Sequence, residues 1–355
     1  MRGMTIKRLK FLCNFFGSAI SGDVYRVNNT NLRNNTKLVG DIVQISMESS
    51  HSLFLRVDGQ VYGYGLNNVG QLGFRDFNFL IKPELIPGLE DIVQVSTGAA
   101  HSLCLRADGQ VYAFGSNGFG QLGLGDNKNR HKPELIPDLK HIIRVSVGVS
   151  YSLCLNEDGQ VYAFGHGSFG QLGLGDEEDR NKPELIPDLD DIVEVSASQT
   201  HSLCLRADGQ VYAFESNGFG KLGLGISDNT MYNTPQLIPD LYEIVQISLG
   251  YYHSLCLSKT GEVYGFGTNM SRQLGKTKQR DVYKSRLIPE VSGIIQISAD
   301  STKSLFLTVD GQVYTFNSVT GEKEVIPIPD GKSCITSSFS QVIAHGYSYT
   351  LMILQ

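Results

Sequence analysis

The 355-residue sequence lacks several features that would point to common functions. It contains no run of 18 apolar residues, so it predicts no membrane-spanning helix. Basic residues are not in excess, since the formal net charge is −6 and the isoelectric point is about 5.8, which argues against broad nucleic-acid binding. The chain also has no tryptophan and no complete phosphate-binding loop of the Gly-x-x-x-x-Gly-Lys-Ser/Thr type.

What the chain does contain is one pair of phrases that recurs along it. Residues 101–105 read His-Ser-Leu-Cys-Leu, and residues 108–114 read Asp-Gly-Gln-Val-Tyr-Ala-Phe. Related pairs begin at His51, Tyr151, His201, His253 and Lys303. Successive Gly-x-Val-Tyr phrases lie about 50 residues apart, and a period in this range indicates a solenoid, a propeller or an array.

One repeat predicts four antiparallel strands. Residues 92–96 form a short apolar run that fits an inner strand, and residues 102–106 form a second run bounded by turn residues. The Asp-Gly that follows predicts a hairpin with a type I′ turn leading into residues 110–114. The fourth strand, 133–136, begins with a proline, whose missing N–H suits the start of an outermost strand.

Counting the repeats predicts a closed ring. Seven inner-strand phrases begin at Ile42, Ile92, Ile142, Ile192, Ile244, Ile294 and Gln341. The first Gly-x-Val-Tyr phrase, at Gly22, lacks a preceding His-Ser-Leu phrase, whereas residues 346–353 match that phrase and have no hairpin after them. We therefore expect residues 22–27 and 36–39 to complete the last blade, which removes exposed sheet edges. The predicted fold is an all-β, seven-bladed β-propeller of four-stranded antiparallel blades, its last blade closed by the N- and C-terminal strands.

The repeats predict one domain over residues 22–355, preceded by an N-terminal extension, residues 1–21. Four basic residues precede the fairly apolar segment 11–20 of this extension: Arg2, Lys7, Arg8 and Lys10. This layout has some likeness to a signal peptide. However, Asn14 interrupts the apolar run, and cleavage near Gly22 would leave the closing strand barely intact. We expect the extension to pack against the last blade.

The cysteines argue against disulfides. Four of them share one strand position in successive repeats: Cys104, Cys154, Cys204 and Cys256. Facing sheets pack about 10 Å apart, whereas a disulfide needs Cα atoms within about 7 Å. These four are predicted to be small buried hydrophobic residues, and the argument leaves only Cys13 and Cys334 open as a pair. This usage favours a reducing compartment, the cytoplasm or the nucleus, over secretion.

The repeat resembles a known family. Residues 108–126 read Asp-Gly-Gln-Val-Tyr-Ala-Phe-Gly-Ser-Asn-Gly-Phe-Gly-Gln-Leu-Gly-Leu-Gly-Asp. Together with the Pro-x-Leu-Ile-Pro and Val-Ser-x-Gly-x-x-His-Ser-Leu phrases, this composite resembles the regulator of chromosome condensation (RCC1) repeat over essentially residues 22–354. The resemblance implies a seven-bladed β-propeller. It does not imply one function, because relatives include a Ran nucleotide exchange factor, modules of ubiquitin ligases, a plant ultraviolet receptor and a bacterial β-lactamase inhibitor.

Two motifs with chemical associations do not predict a chemical site. Residues 118–123 match the dinucleotide fingerprint Gly-x-Gly-x-x-Gly, but no helix pattern follows and the phrase recurs at 218–223, so we interpret it as loop architecture. One repeated position holds four histidines, at 51, 101, 201 and 253, but Tyr151, Lys303 and Tyr349 replace them elsewhere. A position that accepts Tyr and Lys is a hydrogen-bonding or packing position. We therefore predict no catalytic residue, no metal site and no cofactor.

Strand direction places the loops on two faces. The loops that join the first strand of a blade to the second, and the third to the fourth, lie on one face, which we call the variable face. The Asp-Gly hairpins lie on the opposite face, which we call the hairpin face. The variable face carries the differences between repeats, and loops on a rigid scaffold usually carry function. The candidate partner-binding residues on this face are Tyr251, Tyr252, Arg272, Lys276, Lys278, Arg280, Phe77 and Phe79. Each of them is also compatible with a solvated loop or a side chain folded onto its blade.

The sequence leaves three function classes. We favour a protein–protein interaction platform, acting as a monomer on an acidic protein surface, and the alternative is a guanine-nucleotide exchange factor for a Ran-like small GTPase. The resemblance implies that the exchange factor acts through a wedge hairpin inserted in one blade. Here the second to seventh Gly-x-Val-Tyr phrases are 50 or 52 residues apart, which leaves no room for such an insertion. The third class is ultraviolet sensing, which in the receptor of the resembling family depends on tryptophans; this chain has none, so we set that class aside.

Overall fold

The computed structural model describes residues 22–27, 36–48, 50–199, 201–227, 229–326, 343–345 and 350–354, with side chains described from residue 40 to residue 326. These parts of the chain form 27 β-strands and one short 3₁₀ turn, Gly218–Gly220. The predicted all-β class is confirmed. Within the described ranges, no helix is long and apolar enough to cross a membrane.

The strands follow the repeats along the chain. The first five are β1 (Gly22–Val27), β2 (Thr36–Met47), β3 (His51–Arg56), β4 (Val61–Gly65) and β5 (Leu80–Leu85). Blade 2 contains β6 (Ile92–Thr97), β7 (His101–Arg106), β8 (Val111–Gly115) and β9 (Arg130–Leu135). Blade 3 contains β10 (Ile142–Val147), β11 (Tyr151–Asn156), β12 (Val161–Gly165) and β13 (Arg180–Leu185).

The remaining blades have the same order. Blade 4 contains β14 (Ile192–Ala197), β15 (Ser202–Arg206), β16 (Val211–Ser216) and β17 (Met231–Leu237). Blade 5 contains β18 (Ile244–Leu249), β19 (His253–Ser258), β20 (Val263–Thr268) and β21 (Asp281–Leu287). Blade 6 contains β22 (Ile294–Ala299), β23 (Ser304–Thr308), β24 (Val313–Phe316) and β25 (Lys323–Ile326), and the last strands are β26 (Ile343–His345) and β27 (Thr350–Leu354).

The described strands form six hydrogen-bonded sheets, which corrects the predicted count of seven separate blades. Five sheets have four strands, and the sixth has seven, in the order β26-β27-β1-β2-β3-β4-β5. The count differs because β2 is continuous: Lys37 in its first part pairs with Tyr25 of β1, and Ile45 in its second part pairs with Phe54 of β3. We call the β2–β5 part blade 1. The predicted pairing of the terminal strands is observed, with Tyr25 opposite Met352.

The Asp-Gly hairpins are present, but their turn type differs from the predicted type I′. In blade 2, Gly109 N donates to Arg106 O at 3.0 Å and Arg106 N donates to Gln110 O at 2.8 Å. Gly109 has a φ of 83°, whereas Asp108 is not among the residues with positive φ. This is a three-residue connection in which a glycine in the left-handed region forms a bulge after an ordinary turn, a form that needs only one such residue.

The fourth strands lie at the outer edge of their sheets, as predicted. In blade 2 this strand begins three residues before Pro133, at Arg130. A register irregularity separates the Gly115–Arg130 pair from the Ala113–Glu134 pair, and Pro133 falls within it. A proline is tolerated there because an outer strand with an irregular ladder requires fewer N–H donors.

The hydrophobic core lies between neighbouring blades. Leu103 of blade 2 and Phe164 of blade 3 belong to one buried cluster, and both side chains are fully buried. The inner strands are also joined directly: Gln94 Nε2 donates to Val145 O at 2.9 Å, and Val145 N donates to Gln94 Oε1 at 2.9 Å. Gln44 and Gln246 make the same pair of bonds to the next blade. These contacts fix the angle between blades and so position the loops.

Candidate functional site

Backbone hydrogen bonds confirm the two predicted faces. Ser116 N, after the third strand of blade 2, donates to Ala100 O, before the second strand, at 2.8 Å. At the opposite end of the blade, Ala107 N in the hairpin donates to Asp91 O in the turn between blades at 2.9 Å. The first contact lies on the variable face and the second on the hairpin face.

The glycine-rich loop of the variable face is loop architecture, as predicted. The Asn117 side chain organises it, since Leu122 N donates to Asn117 Oδ1 at 2.9 Å and Asn117 Nδ2 donates to Asp126 O at 2.8 Å. Gly120 has a φ of 81°, and a Cβ added to it would lie 2.4 Å from the Asn181 Cα of the next blade. Glycine is therefore required there by the approach of blade 3 and not by a pyrophosphate.

The repeated histidines hydrogen-bond one blade to the next. His51 Nε2 lies 2.9 Å from Ser102 Oγ, and Ser102 Oγ donates to Gln71 O at 2.8 Å. The Ser102 hydroxyl has one hydrogen, which it donates to Gln71 O, so His51 Nε2 is the donor in the bond to Ser102 Oγ. The same histidine-to-serine contact recurs for His101, His201 and His253, and the Tyr151 hydroxyl replaces it at 3.0 Å from Ser202 Oγ. The predicted hydrogen-bonding role is confirmed.

Burial keeps these imidazoles neutral. It lowers the pKa of His51, His101 and His253 to about 3 and that of His201 well below its ordinary value. Within the described residues, no group of three or more His, Cys, Asp or Glu side chains could hold a metal ion. The histidine position therefore supports the loops through hydrogen bonds between blades.

Four partly exposed aromatic side chains lie on or beside the glycine-rich loops of blades 2 to 5, and we call them the aromatic arc. Phe119, Phe169, Phe219 and Tyr252 each expose between 38% and 46% of their surface. Phe219 of blade 4 contacts Tyr252 of blade 5 with ring centroids 5.5 Å apart. The ring centroid of His166 lies 4.5 Å from that of Phe119 and 5.7 Å from that of Phe169. The sequence identified only Tyr252, although phenylalanine recurs at the second position of three glycine-rich phrases.

Tyr251 lies just after the inner strand of blade 5. Its hydroxyl donates to Glu48 Oε1 at 2.5 Å, which joins blade 5 to blade 1. A small cavity of about 70 Å³ is lined by Tyr251, Glu48, Asp300 and Gln199, among others. Burial, followed by the nearby charge of Glu48, raises the pKa of Asp300 to about 6. Tyr251 is half-buried and contacts Tyr252 at a centroid distance of 6.5 Å, so it supports the exposed ring.

The predicted basic loop begins beside the tyrosines and then turns away from them. Thr268 N donates to Tyr252 O at 2.8 Å, which anchors its start. Arg272 donates to Thr277 O at 2.8 Å and so stabilises the loop itself. Lys276 is exposed, with its Nζ 3.8 Å from Glu322 Oε1 of blade 6. Lys278 and Arg280 are also exposed, and Arg280 Nη2 contacts Met270 Sδ at 3.3 Å. The loop thus lies at the outer border of the face.

Phe77 and Phe79 lie on another part of the ring. Both are more than half exposed and belong to the loop that precedes β5 in blade 1. Phe77 contacts His131 of blade 2 with a centroid distance of 4.9 Å, and Phe79 contacts Tyr64 at 6.4 Å. They therefore form a patch between blades 1 and 2, on different blades from the tyrosine pair.

A buried ion pair was missed by sequence reasoning. Glu215 Oε2 lies 2.6 Å from Lys221 Nζ, and both side chains are almost fully buried in blade 4. The equivalent positions of blade 2 are Gly115 and Gln121. Two departures from the repeat, six residues apart in one unit, were the available signal. Because Lys221 lies directly after the turn that carries Phe219, this pair positions part of the aromatic arc.

The fold and the loop face define a repeat-built β-propeller. Two family models described as the regulator of chromosome condensation (RCC1) repeat match the chain. One matches residues 58–105, 108–155, 158–205 and 208–257, and the other matches residues 42–71, 92–121, 142–171 and 244–273. These matches cover more than half of the chain, so the protein belongs to the RCC1 repeat family. The predicted resemblance is confirmed.

Known relatives and solved structures agree on the fold. The regulator of chromosome condensation of Mus musculus is 45% identical over 42 residues, which cover 12% of this chain and only 10% of that protein. Human WBSCR16 is 20% identical with a TM-score of 0.77, covering 95% of this chain and 99% of that one. Yeast RCC1 (Prp20), solved bound to Kap60, is 20% identical with a TM-score of 0.80, and the match covers 95% of this chain and 90% of that one. At this identity the two structures show the fold alone.

Proposed function

We propose that this protein is a protein–protein interaction platform that binds its partner through the variable face. The observation that carries the proposal is the aromatic arc, which presents exposed aromatic rings on loops held by hydrogen bonds between blades. Aromatic side chains provide large contact areas at low entropic cost and dominate binding hot spots. A rigid scaffold adds affinity because few side chains must be ordered on binding.

The proposed partner is a protein with an acidic surface beside an apolar patch. Tyr252 and Phe219 are the anchors in this proposal, and Tyr251 supports them through its hydrogen bond to Glu48. Lys276, Lys278 and Arg280, exposed at the border, act mainly on the rate of association. Phe77 and Phe79 form a second contact for a partner broad enough to reach blade 1.

The experiment is capture of partners from a cell lysate by the intact protein and by a double variant, Tyr252→Ala with Phe219→Ala. We expect the double variant to lose the captured partner. The matched control is charge reversal on the hairpin face, at Arg106, Lys140 and Arg206, which should keep it. Loss of the partner with the control set and retention with the aromatic variant would contradict the proposal.

The second candidate function is nucleotide exchange on a Ran-like small GTPase. A structure of Prp20 from Saccharomyces cerevisiae, with a TM-score of 0.80 and 20% identity over 94% of this chain and 92% of that one, was reported with its binding properties to Gsp1p and histones. That binding belongs to Prp20. Each described four-stranded blade here holds only its four strands, without an inserted hairpin. Accelerated release of fluorescent GDP from a Ran-like GTPase would favour this candidate, and an unchanged rate would exclude it.

We also propose that the seven-stranded sheet acts as two adjacent blades, so that the ring has seven in all. Asp41 has a φ of 58° within β2, and Asp91 and His141 have φ values of 55° and 57° in turns between blades. Val57 N donates to Asp41 O at 2.9 Å just as Ala107 N donates to Asp91 O. An experimental structure should show seven inner strands around the channel, and six would contradict this proposal.

Residues 22–355 are proposed to form one domain that is a monomer in the cytoplasm or nucleus. The support for a reducing compartment is the four buried, unbridged cysteines. Light scattering should give a mass near 39.0 kDa, and a multiple of it would contradict the monomer. Imaging of the tagged full chain tests the location, since a secretory pattern would contradict it. Cys13 and Cys334 lie outside the described residues.

A further inference from the structure

The glycine-rich loops of blades 2 to 4 each pack on the fourth strand of the next blade. One glycine of the loop donates its N–H at 2.8 Å to a carbonyl oxygen near the start of that strand: Gly125 to Asn181, Gly175 to Asn233 and Gly225 to Tyr283. A Cβ added to Gly220 would lie only 2.6 Å from Tyr283 Cα, so the approach excludes a side chain. Each of these fourth strands thus carries a surface that the loop of the preceding blade covers.

Blade 1 has the same position on its fourth strand, β5. In blade 3 the residue whose carbonyl accepts the bond, Asn181, follows the first paired residue of the strand, and in blade 1 the residue at that place is Ile81. The connection between β1 and β2, residues 28–35, contains no glycine. No loop of the described residues donates to Ile81 O, and the Ile81 side chain is 76% exposed. This position is therefore accessible to a partner.

The accessible surface of blade 1 is more apolar than the covered surface of blade 3. Phe79 is 56% exposed, and Tyr64, whose ring centroid lies 6.4 Å from that of Phe79, is partly exposed. Blade 3 has Asp179 at the position of Phe79 and Asn181 at the position of Ile81. Exposed apolar side chains grouped in this way mark an interaction site. We call four residues the blade 1 docking surface: Tyr64, Phe79, Ile81 and Lys82.

The covered surface of blade 3 shows which occupant fits. Phe164, the ring equivalent to Tyr64, is fully buried, and its nearest atom lies 2.9 Å from a Cβ added to a glycine of the preceding loop. Lys182, at the position of Lys82, packs beside Gly125-Asp126 of that loop, with its Cε 3.2 Å from a Cβ added to the glycine. Lys82 is exposed and has no ion pair among the described residues. A glycine-rich turn followed by an acidic residue matches the shape of this surface and the charge of Lys82.

We propose that the blade 1 docking surface binds a glycine-rich turn of a protein partner, followed by an acidic residue. A glycine N–H of the turn donates to Ile81 O, the turn covers the rings of Tyr64 and Phe79, and the acidic side chain pairs with Lys82. The inference rests on the proposed function, protein binding through the variable face, and adds the class of partner segment.

The probe for this surface is a fluorescent cyclic peptide with the sequence of residues 166–179. This segment contains a glycine-rich turn followed by Asp-Glu-Glu-Asp, and its ends can be joined because Gly167 N donates to Asp179 Oδ1 at 2.9 Å. Fluorescence anisotropy with the full-length protein should show saturable binding of this peptide and none of a scrambled cyclic peptide. Equal binding of the two peptides, or no binding of either, would overturn the proposal. Dimers of the protein that the peptide dissociates would place a second copy on this surface and overturn it too.

N-methylation of the peptide tests the backbone hydrogen bond. N-methylglycine at position 175 removes the N–H that would donate to Ile81 O, so the affinity should fall about tenfold. The control is N-methylation at position 166, whose N–H donates to Ser150 O, outside the peptide sequence. Equal affinities of the two methylated peptides would contradict the proposed contact.

A double variant of the protein tests the surface itself. Ile81→Asp with Lys82→Glu changes two exposed side chains, so folding should be retained, as its melting temperature will show. Peptide affinity should fall about tenfold or more, because the turn would bury a carboxylate and lose its ion pair. Val309→Asp with Lys259→Glu, at exposed positions of the hairpin face, is the matched control and should keep wild-type affinity. Equal affinities of the two double variants would overturn the proposal.

The aromatic arc is tested separately with the same peptide. Tyr252→Ala with Phe219→Ala should bind it like the wild type, because these residues lie on blades 4 and 5. Loss of the peptide in this variant would overturn the assignment to blade 1. If the peptide fails to bind while the aromatic arc still captures a partner, only the blade 1 inference fails. If the peptide binds and partner capture does not depend on the arc, only the arc proposal fails.

Discussion

The Glu215 carboxylate and the Lys221 ammonium lie 2.6 Å apart within blade 4, almost fully removed from solvent. Glu215 has a φ of 120°, a region that favours glycine, and four other blades have a glycine at this position with φ between 99° and 108°. A Cβ added to those glycines would lie 2.3 to 2.6 Å from a carbonyl oxygen. Blade 4 thus holds a strained backbone in place of a relaxed one, and strain of this kind often marks a functional site.

Replacing one residue of this ion pair should destabilise the protein more than replacing both. Lys221→Gln alone removes the ammonium beside a buried carboxylate and should lower the free energy of unfolding by about 3–5 kcal/mol. Glu215→Gly with Lys221→Gln restores the repeat and removes the strain, so its stability should equal or exceed that of the wild type. Urea denaturation of both variants measures this. A double variant as unstable as the single one would contradict the account.

The hydroxyl of Tyr151 should contribute measurably to the junction of blades 3 and 4. It donates to His201 O at 2.7 Å and lies 3.0 Å from Ser202 Oγ. Tyr151→Phe removes these contacts and the hydrogen bond that Ser198 N donates to the hydroxyl at 3.3 Å. It should lower the free energy of unfolding by about 1–2 kcal/mol, because buried polar partners lose their hydrogen bond. Tyr162→Phe, on the adjacent strand, is the control. Equal effects of the two substitutions in a denaturation experiment would refute this role.

Glu194 should make stability fall as pH rises. It occupies the position where Gln94 bonds the next inner strand, and its carboxylate accepts a hydrogen bond from Ile247 N. Burial raises its pKa to about 7 from an ordinary 4.5, against the opposing effect of Arg144. The folded state therefore binds the proton more tightly, and its stabilisation is lost as pH rises from about 4.5 through 7.

Glu194→Gln should abolish this dependence. Glutamine can make both bonds to Ile247, so at pH 8 the variant should be more stable than the wild type by about 1–3 kcal/mol, with the difference vanishing near pH 4. Gln94→Glu is the converse variant and should introduce the same dependence into blade 2. Denaturation curves over pH 4–8 provide the measurement. A difference between wild type and Glu194→Gln that does not change with pH would contradict the assignment.

The four repeated cysteines should be unreactive in the folded protein. Cys104, Cys154, Cys204 and Cys256 are fully buried and free, and burial raises the pKa of each thiol above its ordinary range. Iodoacetamide should therefore modify none of them before denaturation and all four afterwards, without reductant. Mass spectrometry that finds a disulfide among these four would contradict the observed strand register.

Local sequence predicted the strands and much of their packing. The Asp-Gly hairpins, the buried cysteines and the hydrogen-bonding histidines follow from patterns within one repeat. The turn type did not follow, because the same dipeptide also fits a turn with a single left-handed glycine. The count of separate sheets did not follow either. The count of sheets depends on whether strand pairing continues from Gly40 to Ile42. No residue type in this segment specifies that continuity.

The candidate site was predicted less well than the fold. Tyr252 was identified because it departs from its repeat, whereas Phe119 and Phe169 were not, because they conform to theirs. Tyr251 contacts Glu48, 203 residues away, through closure of the ring. The ion pair of blade 4 forms only because its loop folds back on β16. Contacts of this kind depend on tertiary geometry and cannot be inferred from spacing.

The central claim is that a partner binds the aromatic arc, and the affinity of the captured partner tests it most directly. Surface plasmon resonance, which gives both the affinity and the association rate, should compare wild type, Tyr252→Ala with Phe219→Ala, and a variant with Lys276, Lys278 and Arg280 changed to Glu. The aromatic variant should bind at least about thirtyfold more weakly, a loss of about 2 kcal/mol, while the charge variant should mainly show slower association and altered salt dependence. Wild-type affinity in the aromatic variant, together with weakened binding after charge reversal at Arg106, Lys140 and Arg206, would contradict the claim.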